Sequence, residues 1–148
     1  MRIDAKDLPT LVGKDLGTTN WVSIDQELIN RFADVTNDHQ WIHVDVDRAK
    51  REYGGTTIAH GFLTLSLMSA MSYELLQIDG IKNGINYGFD KLRFTGAVPP
   101  DSRVRMKAKM LSVEAKDNSY RFKRECFVEL EGHEKPVIVA EWITMVYV

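Results

Sequence analysis

Hydrophobic and polar positions divide the chain into two halves with different periods. In the first half, Leu28, Ile29, Phe32 and Val35 recur at helical spacing and form one face of a helix that runs to about Val35. Ser23-Ile24-Asp25-Gln26 ahead of it fits a capping box, in which the Ser oxygen accepts from an early N–H and Gln26 reaches back. Asp7 to Val12 predicts a short opening helical turn, broken by Gly13 and Gly17, and Thr18–Val22 reads as a short strand. Neither period holds from Thr36 to Val46, where Asn37, Asp38, His39 and Gln40 are turn and cap residues, so a loop is expected. Asp45 or Asp47 can cap a short helix through Glu52, and Gly54-Gly55 ends it. Gly61 to about Gln77 then predicts a helix of roughly 25 Å at 1.5 Å per residue. Phe62, Leu63, Leu65, Leu67, Met68, Met71, Leu75 and Leu76 surround it, and its one charge is Glu74. A helix apolar on nearly all sides is a buried one, and something must wrap it.

The second half supplies the wrapper. Ile85, Tyr87 and Phe89 are apolar at odd positions, whereas Leu92 and Phe94 continue at even ones, so a bulge or bend is expected near Asp90-Lys91. Arg103, Arg105, Lys107 and Lys109 alternate with Val104, Met106, Ala108 and Met110, the signature of a half-solvated antiparallel strand. The basic row is expected to be a solvated face. A turn at Asp117-Asn118-Ser119 leads into a second alternating run, Tyr120, Phe122, Cys126, Val128 and Leu130 against Arg121, Lys123, Glu125 and Glu129. Val137 to Val148 is apolar at both parities apart from Glu141 and Thr144, as an inner strand would be. Four long antiparallel strands following an all-apolar helix indicate an α+β fold: a single hot-dog domain over residues 1–148, an antiparallel β-sheet wrapped around a buried central helix.

Composition narrows the function classes. The chain has 148 residues, 44% hydrophobic and 27% charged, as expected of an ordered globular protein. A net charge of −2 argues against nucleic acid as a partner. The single cysteine, Cys126, can form neither an intrachain disulfide nor a cysteine zinc cluster, and a buried structural thiol is expected. Met1 to Thr10 lacks the apolar core of a signal peptide, and the run Phe62–Leu76 is too short and too polar for a membrane span. The expectation is a soluble, cytoplasmic protein with no membrane partner.

The candidate chemistry is concentrated in residues 32–77, which hold three of the four histidines. Asp38 and His43, five residues apart, can share a water, one accepting its proton while the other donates elsewhere, which suits adding water to a polarised double bond or removing it. The same spacing is met when Asp38 merely caps a turn and His43 is a satisfied loop histidine. His39, among polar neighbours, reads as exposed or supporting. His39, His43, Asp45 and His60 show no metal-ligand spacing, and no metal is expected. His60-Gly61 opens the apolar helix, whose first N–H groups are unpaired; Gly61 there admits a thioester oxygen that is gaining negative charge, or it forms only a tight turn. Ser66, Ser69 and Ser72 lie along one side of the helix without a nucleophile-elbow sequence, and hydroxyls bonded back to helix carbonyls are expected.

Phe32-Ala33-x4-Asp38-x4-His43-x-Asp45, then Ala49 and Ile58-Ala59-His60-Gly61-x-Leu63, resembles the MaoC-like hydratase/dehydratase family, which includes the (R)-specific enoyl-CoA hydratases. The fuller strings Asp38-His39-Gln40-Trp41-Ile42-His43 and Gly61-Phe62-Leu63-Thr64-Leu65-Ser66-Leu67 are similar to its nodulation protein N-like branch. Asn86-Tyr87-Gly88 and Lys91-Leu92-Arg93-Phe94 continue the likeness, which spans roughly residues 12–148. The resemblance implies a hot-dog homodimer joined edge to edge. It implies acyl thioester substrates, usually on coenzyme A, which enters as part of the substrate, with no other cofactor. It assigns a catalytic dyad to Asp38 and His43, an N–H donor for the thioester oxygen to Gly61, and a supporting role to Ser69. Gln40 and His60 are further supporting candidates. The implied reaction is reversible syn hydration of a trans-2-enoyl thioester to the (R)-3-hydroxyacyl product.

One departure stands out. Many members carry Asp-x-Asn-Pro-x-His, whereas Gln40 and Trp41 occupy those places here. Gln40 can hydrogen-bond as Asn does, and Trp41 is expected to change loop rigidity and to narrow the acyl site. Two rival functions share the fold: a non-catalytic acyl-thioester or signal-lipid binding protein, and a thioesterase using a carboxylate on the helix, for which Glu74 is the one acid inside it. Lys91, Arg93 and Arg103 are candidates for the nucleotide phosphates.

Overall fold

The computed structural model describes residues 1–148. Strand β1 (Arg2–Asp4) leads into a 3-10 helix (Ala5–Leu11), followed by β2 (Asp15–Thr18) and β3 (Val22–Ile24). Helices α1 (Gln26–Thr36), α2 (Trp41–Val44), α3 (Val46–Glu52) and α4 (Gly61–Leu75) come next. Strands β4 (Gln77–Asp79), β5 (Asn83–Phe94), β6 (Ser102–Lys116), β7 (Ser119–Leu130) and β8 (Ile138–Tyr147) complete the chain. The main sheet is antiparallel in the order β2-β6-β7-β8-β5, with β3 also pairing along β6. Its inner rows include Val104, Met106 and Met110 of β6, Cys126 and Val128 of β7, and Ile138, Ala140 and Trp142 of β8, all buried. They close over α4, whose Leu63, Met68, Met71 and Leu75 join the same core of 25 buried residues. This is the expected hot-dog arrangement.

Alternation on β6 holds as expected, and the outer basic row meets acids on and just after β7: Arg105 lies 2.7 Å and Lys107 2.6 Å from Glu129, and Arg103 bonds Glu131. Such solvated pairs contribute little individually. The phase slip in β5 is real and double, with register shifts between Asn86 and Gly88 and between Phe89 and Lys91. Cys126 is fully buried, and burial pushes its thiol up to about 11. No helix is long and apolar enough to cross a membrane.

Several local expectations need correction. The cap of α1 is Asp25, whose carboxylate accepts from the Leu28 N–H at 2.7 Å; Ser23 lies in β3 instead. Strand pairing to β6 outcompetes the capping box, which moves the helix start two residues on. Within α1 the buried residues are Ile29 and Ala33, whereas Val35 is 81% exposed. The strand expected over Thr18–Val22 splits into β2 and β3 around Thr19–Trp21. Trp41–Val44 forms a helical turn inside the expected loop. Helix α4 ends at Leu75, because Gln77–Asp79 pairs in parallel with Arg2–Asp4, where Arg2 and Asp79 form an ion pair joined by three hydrogen bonds. Nor is α4 covered on every side: Phe62 and Tyr73 are 65% and 70% exposed. One sheet shields one flank of a helix, and the flank facing β5 stays open.

Gln26, freed from capping, ties three segments together. Its Nε2 donates to the His43 carbonyl at 2.7 Å and to Asn30 Oδ1 at 2.9 Å, and its Oε1 accepts from the buried Thr57 hydroxyl at 2.5 Å. Gln26→Ala leaves that hydroxyl and that carbonyl without partners, a cost of about 1–3 kcal/mol. The expected result is a denaturant midpoint lowered accordingly with the slope unchanged. A midpoint equal to that of the parent would show the ties to be idle.

Candidate functional site

The site is assembled from three short segments. Helix α1 ends on Asn37 in the left-handed region, φ 57°, whose N–H bonds back to the Ala33 and Asp34 carbonyls. That turn ejects Asp38 to the surface, where its Oδ1 has one weak protein partner, the Gln40 N–H at 3.4 Å. The turn α2 then carries His43 inward. The Thr57–His60 connector lies beneath it, fastened by Ile58 N–H to the Ile42 carbonyl (3.1 Å) and Ala59 N–H to the Val98 carbonyl (2.7 Å).

His43 is held on two sides. Its Nδ1–H donates to the Ile58 carbonyl at 2.7 Å, which leaves Nε2 as the acceptor. Its ring stacks on His60 with centroids 3.8 Å apart and planes inclined by 25°. Burial, opposed by the Ile58 hydrogen bond and by Asp38 and reinforced by His60, holds the imidazole below its ordinary value. The side chain is therefore neutral at neutral pH. His60 is 2% exposed; its Nε2–H donates to the Asp38 carbonyl at 2.9 Å, and its ring packs on Phe32 at 5.1 Å. It anchors the Asp38 loop and backs the His43 ring as well as preceding Gly61. The sequence offered no signal for the stack, which depends on two segments 17 residues apart.

One potential ligand atom from each of Asp38, His43 and His60 lies within 4.8 Å of the others. The stacked rings make a poor metal site all the same. Imidazole lone pairs lie in the ring plane, and two nearly parallel rings direct theirs side by side rather than toward one point. The arrangement suits a water held between a carboxylate and a neutral imidazole.

His43 and Gly61 line one cavity of about 220 Å³, with Ile58, Thr64, Phe94 and Val98 among its walls. Gly61 is the first residue of α4, and its N–H and that of Phe62 have no protein acceptor, whereas Leu63 and Thr64 bond back to the His60 carbonyl. A Cβ on Gly61 would sit 2.9 Å from the Phe94 ring, so the close approach at this glycine is made by Phe94.

The other expected residues disperse. Ser69 is not on this cavity: it lies eight residues along α4, accepts from Asn86 Nδ2 at 3.3 Å, and lines two cavities further down the helix. Ser66 bonds back to the Phe62 carbonyl at 2.7 Å, and Ser72 to the Ser69 carbonyl at 2.8 Å. Gln40 is exposed, and its side chain makes no hydrogen bond in the protein. Trp41 turns away from the cavity, its ring beneath the Arg48 guanidinium (4.1 Å) and against Tyr53 (5.9 Å), so it does not narrow the space beside His43. His39 is a surface partner of Asp34 at 2.9 Å. Glu74 is exposed and accepts from the Asn20 N–H and side-chain amide, which leaves no carboxylate of α4 facing His43. Lys91 pairs with Glu141 and Arg103 with Glu131, so of the three basic candidates only Arg93 lacks an acidic partner.

A family model described as MaoC like domain matches residues 7–127. The chain is 46% identical over 138 residues to 3-hydroxyacyl-thioester dehydratase Z of Mycobacterium tuberculosis, a match that covers 93% of this chain and 91% of that one. It is 43% identical over 147 residues to nodulation protein N of Rhizobium meliloti, covering 97% and 91%. Among solved structures, the R-hydratase PhaJ1 of Pseudomonas aeruginosa superposes with a TM-score of 0.71 at 26% identity, over 92% of this chain and 81% of that one. The family match takes in Asp38, His43, His60 and Gly61, and the chain belongs to the MaoC-like hydratase/dehydratase family.

Proposed function

We propose that the protein catalyses the reversible syn hydration of trans-2-enoyl-CoA thioesters to (R)-3-hydroxyacyl-CoA. One observation carries this: His43, a neutral imidazole with the open carboxylate of Asp38 within 4.8 Å of its ligand nitrogen, lines one cavity together with Gly61, whose N–H has no protein acceptor. In the proposed mechanism the thioester oxygen accepts from the Gly61 N–H, which draws electrons from the double bond and leaves the third carbon electrophilic. Asp38 orients a water by accepting one of its protons in a hydrogen bond. His43 Nε2 takes the other proton as the oxygen adds to that carbon, and the imidazolium returns it to the second carbon from the same face. The reverse sequence expels water. Coenzyme A is the carrier within the substrate, and no further cofactor is invoked. The names of the similar dehydratase and hydratase support this chemistry. A purely acyl-binding role would leave the dyad and its two fixed hydrogen bonds without a task.

We also infer a homodimer. β5 is a 12-residue edge strand whose Ile85, Tyr87 and Phe94 are exposed, beside the open flank of α4. An unpaired edge of this length invites a second strand. Light scattering is expected to give about twice the 16.9 kDa chain mass, and a monomer at working concentration would contradict it.

Asp38→Asn and His43→Gln are each expected to lower kcat/KM for crotonyl-CoA hydration by about 10²–10⁴-fold while thermal unfolding stays cooperative. Parental rates in both variants would sink the mechanism. The pH profile follows from His43. It acts when unprotonated, and burial holds its pKa below the usual value of about 6.5. Activity should therefore persist as pH falls through 6.5 and decline only below it. An acid limb centred above 6.5 would contradict the assignment.

A further inference from the structure

A second cavity lies away from the dyad, under the sheet at the far end of α4. It measures about 390 Å³, and Arg124 of β7 is in its wall. Arg124 occupies an inward position between Phe122 and Cys126, where the alternation of the strand calls for an apolar residue. It is 3% exposed, and no carboxylate reaches it. Its guanidinium stacks 4.1 Å from the Trp142 ring centroid and 5.2 Å from that of Phe122. Only Nη2 has a hydrogen-bond partner, the Thr144 hydroxyl at 2.7 Å; Nε is buried with none, and so is the indole N–H of Trp142, a second wall residue. A buried cation without a counter-charge is costly; the two rings and the Thr144 hydroxyl offset part of that cost, but no protein group supplies the negative charge.

The rest of the cavity indicates what would. Leu76, Ile78, Ile81 and Val146 give it an apolar lining suited to a hydrocarbon stem. A neighbouring cavity of about 260 Å³ shares Ser69, Asn86 and Trp142 with it and extends back along α4 to Leu65, toward the end of the helix that carries Gly61. Ser69 and Ser72 lie about 12 and 17 Å beyond Gly61 along the helix axis. Ser69 and Ser72 line the same cavity as Arg124, so that cavity lies within reach of an extended acyl chain of roughly ten or more carbons held at Gly61. A carboxylate presents two coplanar oxygens that match the planar guanidinium fork.

We infer that the distal cavity receives an acyl group whose far end bears a carboxylate, and that Arg124 selects that end. This rests on the acyl-thioester function proposed above and adds the substrate class to it. The test compares the full-length protein on a medium-chain trans-2-enoyl-CoA and on its ω-carboxy counterpart of equal length. The ω-carboxy substrate is expected to have a kcat/KM higher by about tenfold or more, mainly through KM, as one charge-assisted contact supplies. In Arg124→Gln that ratio should fall toward one, and Arg124→Lys should retain part of it. Equal kcat/KM values in the parent protein would overturn the inference while leaving hydration intact, and this arm needs no variant to fold. If neither substrate is hydrated, the catalytic proposal fails, and calorimetry with the saturated acyl-CoA and ω-carboxyacyl-CoA pair decides the inference separately. Tighter binding of the carboxylate form that Arg124→Gln abolishes supports it, and equal affinities refute it.

Discussion

A 15-residue helix whose buried face is Leu, Met and Thr must be kept from water, and a single curled sheet can cover only part of its circumference. Much else follows from this constraint. The strands β6, β7 and β8 carry their apolar rows on one side because that side meets α4, and their charges on the other, Arg124 of β7 excepted. The cover ends at β5, so the helix flank beside it stays open and the strand itself is left with a free edge. The mouth of the fold at the helix N-terminus is open as well, and there the connector Thr57–His60 and the turn α2 are laid across it.

Those two segments are short and have little core of their own. They are fixed instead by backbone and side-chain hydrogen bonds: Ile58 to Ile42, Ala59 to Val98, and Gln26 to both Thr57 and the His43 carbonyl. His43 is therefore preorganised by the connector that forms part of its cavity wall, Ile58 and Ala59, and by Gln26 of α1. The His60 ring supplies a flat wall behind it, and Phe32 of α1 backs His60 in turn. Positioning passes from a packed helix through two imidazoles to one nitrogen.

How far this was legible in the sequence depended on whether a feature was periodic or relational. The four long strands, the bulge in β5 and the apolar helix were readable, because alternation and helical spacing report burial directly. The grouping of Asp38, His43 and Gly61 was readable only through resemblance, since spacing alone fits a turn cap and a loop histidine. Gln26 was misread because its neighbours suit a capping box, whereas its bonds run to residues 17 and 31 positions away. The His43–His60 stack and the distance of Ser69 from the dyad are likewise relations between segments. Trp41 was misplaced for a similar reason: its partners, Arg48 and Tyr53, lie on and just after the following helix. Arg124 did leave a local trace, as a charge at an inward parity of β7, and only the surrounding core shows how unusual its position is.

The lone cysteine gains meaning beside the proposed chemistry. An enoyl thioester is a soft electrophile, and a nearby thiolate would add to it in place of water. Cys126 sits in the central strand with no exposure, and burial raises its thiol to about 11, so hardly any thiolate forms at neutral pH. The one thiol of the chain is thus withheld from such a ligand, and conjugate addition of sulfur does not compete with water at the site.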